Sequence, residues 1–182
     1  MNTAKQLQSF YTIDDIYSLP EGKRAELIYG ELYLMSAPGT KHQEIVMELS
    51  YQIRHYIGAS KGFCKVYPAP FAVFLNGNDE IYLEPDISVI CDKTKVTEEG
   101  CIGAPDWIIE IVSPSSRSWD YNKKLFLYRA SGVREYWIVD PLKNRVSVYS
   151  FERDEMEEYT FSDKVGVGIY DGFEIDHSQM EH

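Results

Sequence analysis

Residues 106–112, Asp106-Trp107-Ile108-Ile109-Glu110-Ile111-Val112, are apolar on both faces apart from one carboxylate. Such a run predicts a strand at the centre of a sheet covered on both sides. Ser113-Pro114-Ser115-Ser116 breaks the run, and a helix is expected from about Trp119 to Ala130, closed by Ser131-Gly132. Glu135-Tyr136-Trp137-Ile138-Val139 then reads as a second core strand, ended by Asp140-Pro141. Strand, helix and strand over 106–139 make a right-handed crossover. That unit sets the fold class: one α/β domain built on a mixed sheet.

The neighbouring segments fit around it. Arg145 to Tyr149 pairs as a hairpin with the second strand, and Glu158-Tyr159-Thr160-Phe161 reads as a last edge strand. On the other side, Pro85-Asp86-Ile87-Ser88-Val89-Ile90 is a strand preceded by an Asn76-Gly77-Asn78-Asp79 turn. Phe63 to Leu75 is rich in β-formers but interrupted by Pro68 and Pro70, which predicts edge strands or a bulge. Ile45, Leu49, Ile53 and Tyr56 recur at helical spacing between a Thr40 cap and Gly58. Residues 25–35 read as a hairpin turning at Gly30, after a short helix capped by Thr12 and stopped by Pro20-Glu21-Gly22.

Composition narrows the classes. The chain has 182 residues, 44% hydrophobic and 26% charged, as expected of an ordinary globular domain. No stretch approaches the roughly 20 apolar residues that span a bilayer, and Met1 to Gln8 has no apolar signal core, so a cytoplasmic protein with no membrane partner is expected. Cys64, Cys91 and Cys101 are odd in number and form no CxxC pair. They argue against a disulfide framework or zinc site, suit a reducing compartment and read as buried apolar residues. Net charge is 18 − 29 = −11, a poor long-range attractor for nucleic acid. The distribution is uneven: residues 111–150 carry seven basic and three acidic side chains, whereas 151–182 carry two and ten. The segment 151–182 is therefore read as an acidic extension on a core of about 12–150.

A carboxylate inside a buried strand is costly unless it is paired, hydrogen-bonded or bound to a metal. Glu110 among Ile108, Ile109, Ile111 and Val112 poses that problem, and Asp86 poses it at the start of its own strand. Two carboxylates on neighbouring strands could share a divalent cation, and hard oxygen ligands point to Mg²⁺ or Mn²⁺. Taken singly, Asp86 could be a strand-end residue and Glu110 the partner of a buried Arg or Lys. In the following helix, Asp120, Lys124 and Tyr128 share one stripe at i, i+4 and i+8. Trp119, Lys123, Phe126 and Ala130 form another, with Trp119 and Phe126 read as core. The helix start should lie near the carboxyl end of the Glu110 strand, where open α/β sheets place their ligands.

Pro85-Asp86, the run Trp107 to Ser116, Asp120 with Lys124 and Tyr128, and the block Gly132-Val133-Arg134-Glu135-Tyr136-Trp137-Ile138-Val139-Asp140-Pro141 together resemble the Uma2 endonuclease family of the PD-(D/E)XK superfamily. The resemblance runs from the Thr12 helix to Pro141 and does not reach the tail after Phe151. It implies a restriction-endonuclease-like fold and a metal-dependent DNA endonuclease, with Asp86, Glu110 and the Ile111 carbonyl holding Mg²⁺ or Mn²⁺. The superfamily lysine two residues after the Glu would fall at Val112 and is absent. The family pattern implies that it has moved to Lys124, with Lys123 as the fallback and Asp120 beside it. His42 and Glu26 match family positions too. His42 is counted a site candidate, whereas Glu26 is expected to be a solvated hairpin carboxylate. The alternative is a catalytically silent PD-(D/E)XK module, favoured by Val112 and the −11 charge. With 14 Tyr and 3 Trp, many on presumed edge segments such as Tyr67 to Phe74, a homodimer or higher homo-oligomer is expected.

Overall fold

A computed structural model describes residues 10–113 and 118–180, so the loop residues Pro114, Ser115 and Ser116 lie outside the described residues. In chain order the elements are α1 (Ile13–Tyr17), β1 (Arg24–Ile28), β2 (Glu31–Met35), α2 (Thr40–Ala59), β3 (Lys65–Pro68), β4 (Val73–Phe74), β5 (Ile81–Leu83) and β6 (Ile87–Ile90). There follow β7 (Cys101–Ile102), β8 (Trp107–Ile111), a π turn (Trp119–Lys124) leading into α3 (Leu125–Ser131), β9 (Glu135–Asp140), β10 (Arg145–Ser150), β11 (Glu155–Thr160), β12 (Lys164–Gly166) and β13 (Glu174–Asp176).

Two mixed sheets stack on each other. One has the order β2-β1-β5-β4-β7, the other β11-β10-β9-β8-β6-β3, and β12 and β13 form a separate ribbon. As expected, β8 and β9 are central and parallel, joined by the crossover through α3. Side-chain alternation sorts the core into layers. Ile87, Val89, Trp107, Ile109, Ile111, Trp137 and Val139 face α2 and the ribbon. Ile90, Ile108, Val112, Tyr136 and Ile138 face the other way, against α3 and the first sheet's Ile28, Val73, Ile81 and Leu83. Ala25, Leu27, Phe74 and Tyr82 cover the first sheet's outer face with Ile16 of α1.

Local expectations hold at several ends. The Thr12 backbone N–H donates to Asp15 at 2.7 Å, closing the start of α1. Proline-bearing β3 is the edge strand of its sheet. At α2 the cap shifts by one residue, to Gly39.

Four expectations are corrected. The described part of the acidic extension, residues 151–180, packs into the core: Phe161, Val165, Val167, Phe173, Ile175 and Met180 are buried in the layer beneath α2. Glu135, itself buried, ties this segment to β9 by accepting from Trp137 Nε1 at 2.5 Å and from the Ile169 N–H at 2.9 Å. Its charge is acidic because its outward positions are, while its inward ones are apolar. Second, Cys64 and Cys91 form a disulfide. They flank the β3–β6 ladder, where Lys65 pairs with Ile90, so register sets them opposite each other. The cysteine argument for a reducing compartment loses its footing. Third, Phe126 is 71% exposed rather than core. The π turn inserts an extra residue, so Leu127 and Tyr128 turn inward instead. Fourth, within Tyr67 to Phe74, Phe74 is buried, while Tyr67 and Phe71 stack on each other at 4.3 Å and stay half-buried at the sheet edge.

Candidate active site

The antiparallel register of β6 and β8 pairs Ile87 with Ile109, which brings Asp86, one residue before β6, level with Glu110. Glu110 shares the β8 face of Ile108 and Val112, turned towards α3 and the first sheet, and Asp86 meets it from the entry of β6. Asp86 Oδ2 accepts from the Ile111 N–H at 2.8 Å, and the Asp86 N–H points at Glu110 Oε2 at 3.4 Å. His42, in the first turn of α2, places Nε2 3.1 Å from Asp86 Oδ2.

Lys124 ends the π turn and is only 4% exposed. Its ammonium lies 2.9 Å from Glu110 Oε1, 2.8 Å from Glu26 Oε1 and 3.7 Å from Asp120 Oδ1. Tyr128 Oη donates to the same Glu110 Oε1 at 2.7 Å. The structure thus brings together Asp86, Glu110, Ile111, Lys124, Asp120 and His42. Lys123 points elsewhere, donating to Tyr33 Oη at 2.6 Å and to Glu31 at 3.2 Å and lying over the Trp119 ring. A π turn is a frequent way to aim neighbouring side chains at a functional point.

Glu26 corrects the sequence reading. It is 3% exposed, and Oε1 also accepts from the Glu84 N–H at 3.3 Å. In β1 Ala25 and Leu27 face outward and Ile28 faces the second sheet, so Glu26 shares the face of Ile28 and points at Lys124. The signal was present: a carboxylate in an apolar strand, as at Glu110.

Electrostatics follow from burial and charge count. Burial pushes the Glu110 carboxyl up to about 8 against the pull of the Lys124 ammonium, and Asp86, Asp120 and Glu26 push it further up. Burial would lower Lys124, but Glu110, Glu26 and Asp120 outweigh it and hold the ammonium well above its ordinary value. Burial would likewise lower His42, yet the Asp86 carboxylate and the Ile111 backbone leave it raised. Carboxylates thus outnumber Lys124 around Glu110, and added positive charge there would relieve the strain on Glu110.

A divalent cation fits that surplus. Among the described residues no group of three or more His, Cys, Asp or Glu forms a ready-made metal cage. Mg²⁺, however, is commonly held by one or two carboxylates while keeping several waters. Glu110 Oε1 is engaged by Lys124 and Tyr128, whereas Oε2, on the Asp86 side, meets the Asp86 N–H only at the longer distance of 3.4 Å. The donor set suits a hard cation.

The stacked mixed sheets, the crossover and the acidic pair on adjacent strands fit the restriction-endonuclease-like superfamily. Within it, the chain belongs to the Uma2 family, whose model, described as "Putative restriction endonuclease", matches residues 8–175. The match runs well past Pro141, where the motif-based resemblance ends, and takes in most of the tail after Phe151. Among solved structures the chain is similar to one described as a putative nuclease belonging to DUF820 from Anabaena variabilis, with a TM-score of 0.75, 24% identity, and coverage of 94% of this chain and 97% of that one. At that identity the likeness shows the fold. Two uncharacterized proteins of Synechocystis, sll1609 and slr1290, are 25% and 24% identical over 70% of this chain, spanning 72% and 66% of their own lengths. Among the described residues no helix is long and apolar enough to cross a membrane.

Proposed function

We propose that this chain is a Mg²⁺- or Mn²⁺-dependent endonuclease that hydrolyses phosphodiester bonds in DNA. Family membership supports the reaction class, and the observation that carries the reading is the Lys124–Glu110 contact at 2.9 Å. It returns a lysine to the acidic pair although position 112 is valine. Asp86, Glu110 and the Ile111 carbonyl would hold the cation. When bound, it polarises the scissile phosphate and lowers the pKa of a coordinated water. Lys124 directs its ammonium at the attacked phosphate and stabilises charge that develops there. Glu26 and Asp120 hold that ammonium in place, Tyr128 fixes the Glu110 rotamer, and His42 fixes Asp86. No covalent enzyme intermediate is needed. Self-association into a homodimer or higher homo-oligomer belongs to the same reading.

The test is cleavage of supercoiled and linear DNA with Mg²⁺ or Mn²⁺, with chelator, and in Asp86→Asn and Lys124→Met. Metal-dependent cleavage lost in both variants supports the reading. Cleavage that survives in both overturns it. A silent module is the second reading, favoured by Val112 and the net charge of −11. It predicts no cleavage and no effect of either cation on thermal stability.

A further inference from the structure

Helix α2 buries Ile45, Val46, Leu49, Ile53 and Ile57 and turns its opposite face to solvent along all 20 residues. That face is not simply polar. Met47 is 71% and Tyr51 61% exposed, and both sit at its centre. Outward from them come exposed Glu44 and Arg54, then exposed Thr40 and Gly58. The spacing from Thr40 to Gly58 is four, three, four, three, four, the alternation of a coiled-coil seam.

This series reads the same from either end. Laid antiparallel on a second α2, with a two-fold axis level with residue 49, Met47 meets Tyr51, Glu44 meets Arg54 and Thr40 meets Gly58. Each pair occurs twice, as an isologous interface requires. The apolar pair falls at the axis, the opposite charges flank it, and the small residues close the ends. A copy laid parallel would instead put Glu44 on Glu44 and Arg54 on Arg54. Beside Met47 a groove of about 560 Å³ is lined by Thr40, Glu44, Glu48 and Met47, with Ile45 and Met180 among its walls. In the antiparallel arrangement Tyr51 of the second copy meets Met47 at the edge of this groove.

Gly58 adds an independent sign. A Cβ built on it would meet nothing within 4 Å, so packing inside the chain gives no reason for glycine there. Glycine also weakens a helix relative to alanine. Close approach of a second backbone at Thr40 gives one.

We infer that the solvent face of α2 is the contact surface of a two-fold homodimer, paired antiparallel through Met47 and Tyr51. It rests on the self-association part of the reading above and not on nuclease activity. His42 lies on the inward side of α2 with Asp86, so the dimer leaves both sites open.

Light scattering and sedimentation velocity of the full chain, over a dilution series, test this. Wild type is expected to approach twice the 21.0 kDa chain mass as concentration rises. Tyr51→Asp, Glu44→Arg and Arg54→Glu should each weaken association at least tenfold with circular dichroism and melting temperature retained. The double variant Glu44→Arg/Arg54→Glu should regain most of it. A chain that stays monomeric throughout overturns both the seam and self-association. A dimer indifferent to all three single variants overturns the seam alone, leaving self-association through another face.

Discussion

The Lys124 ammonium lies 2.8 Å from the Glu26 carboxylate, joining the N-terminal hairpin to the turn after β8. Each belongs to a different layer, and each is nearly sealed from solvent. The contact makes Lys124 a structural residue as well as a site residue.

Replacing Lys124 by Ala should therefore cost both activity and stability. Removing one partner of a buried pair leaves Glu110 and Glu26 uncompensated, a loss of about 3 kcal/mol by urea denaturation. Cleavage should fall roughly 10²-fold or more if the ammonium acts in the transition state. Lys123→Ala removes contacts at the half-exposed surface and should cost about 1 kcal/mol, with a shallower salt dependence of DNA affinity. Equal losses in the two variants would show that the roles are misassigned.

Cation binding to the native state should raise the melting temperature by mass action. At a hundredfold excess over Kd the gain is about 2.7 kcal/mol. Asp86→Asn and Glu110→Gln should each abolish the Mn²⁺-dependent shift in calorimetry. An unchanged shift in both would put the cation elsewhere.

His177 sets an acid limit. It is fully buried and stacked between Trp137 and Phe161, with ring centroids 5.9 Å from each. Burial lowers its pKa from an ordinary 6.5 to about 4, against the pull of Asp176. The folded state thus binds its proton less tightly than the unfolded chain. The stability this contributes is fully present above about pH 6.5 and is lost as pH falls towards 4, amounting to about 3 kcal/mol at most. In His177→Phe the fall in unfolding free energy between pH 7 and 4 should be smaller by that amount. Parallel pH profiles would remove His177 from the account.

The cysteine pairing is open to direct counting. Under denaturing, non-reducing conditions one thiol per chain should react, that of Cys101, and three after reduction. With a sequence separation of 27 between the bonded cysteines, reduction should lower unfolding free energy by about 3.5 kcal/mol. Three reactive thiols without reductant would refute the bond.

Much of this architecture is legible in the sequence, for identifiable reasons. The apolar runs of β8 and β9 with the Ser131-Gly132 stop imposed the crossover, and Glu110 stood out because a carboxylate there demanded a partner. Glu26 carried the same signal, but a hairpin was assumed to face water on one side, and the second sheet that covers it is known only once the sheets stack. Regular helical periodicity places Phe126 in the core, whereas the π turn leaves it exposed, and a π turn has no marker in residue type. The Cys64–Cys91 bond depends on β3–β6 register, which follows from long-range pairing rather than from spacing along the chain. The tail beyond Phe151 misled through its charge, since average acidity hides an inward face of Phe161, Val165, Phe173 and Ile175.

The ion cluster also has a consequence for descent. Glu26 comes from one sheet, Glu110 from the other, and Lys124 rivets them together, so a lineage that gave up cleavage would still be held to all three by the need to stay folded. Asp86 and His42 stand at the partly open rim and carry far less of that load. Relaxed selection would therefore erase the rim first, and a retired copy should be recognised by losing Asp86 and His42 while its Glu–Lys–Glu rivet persists.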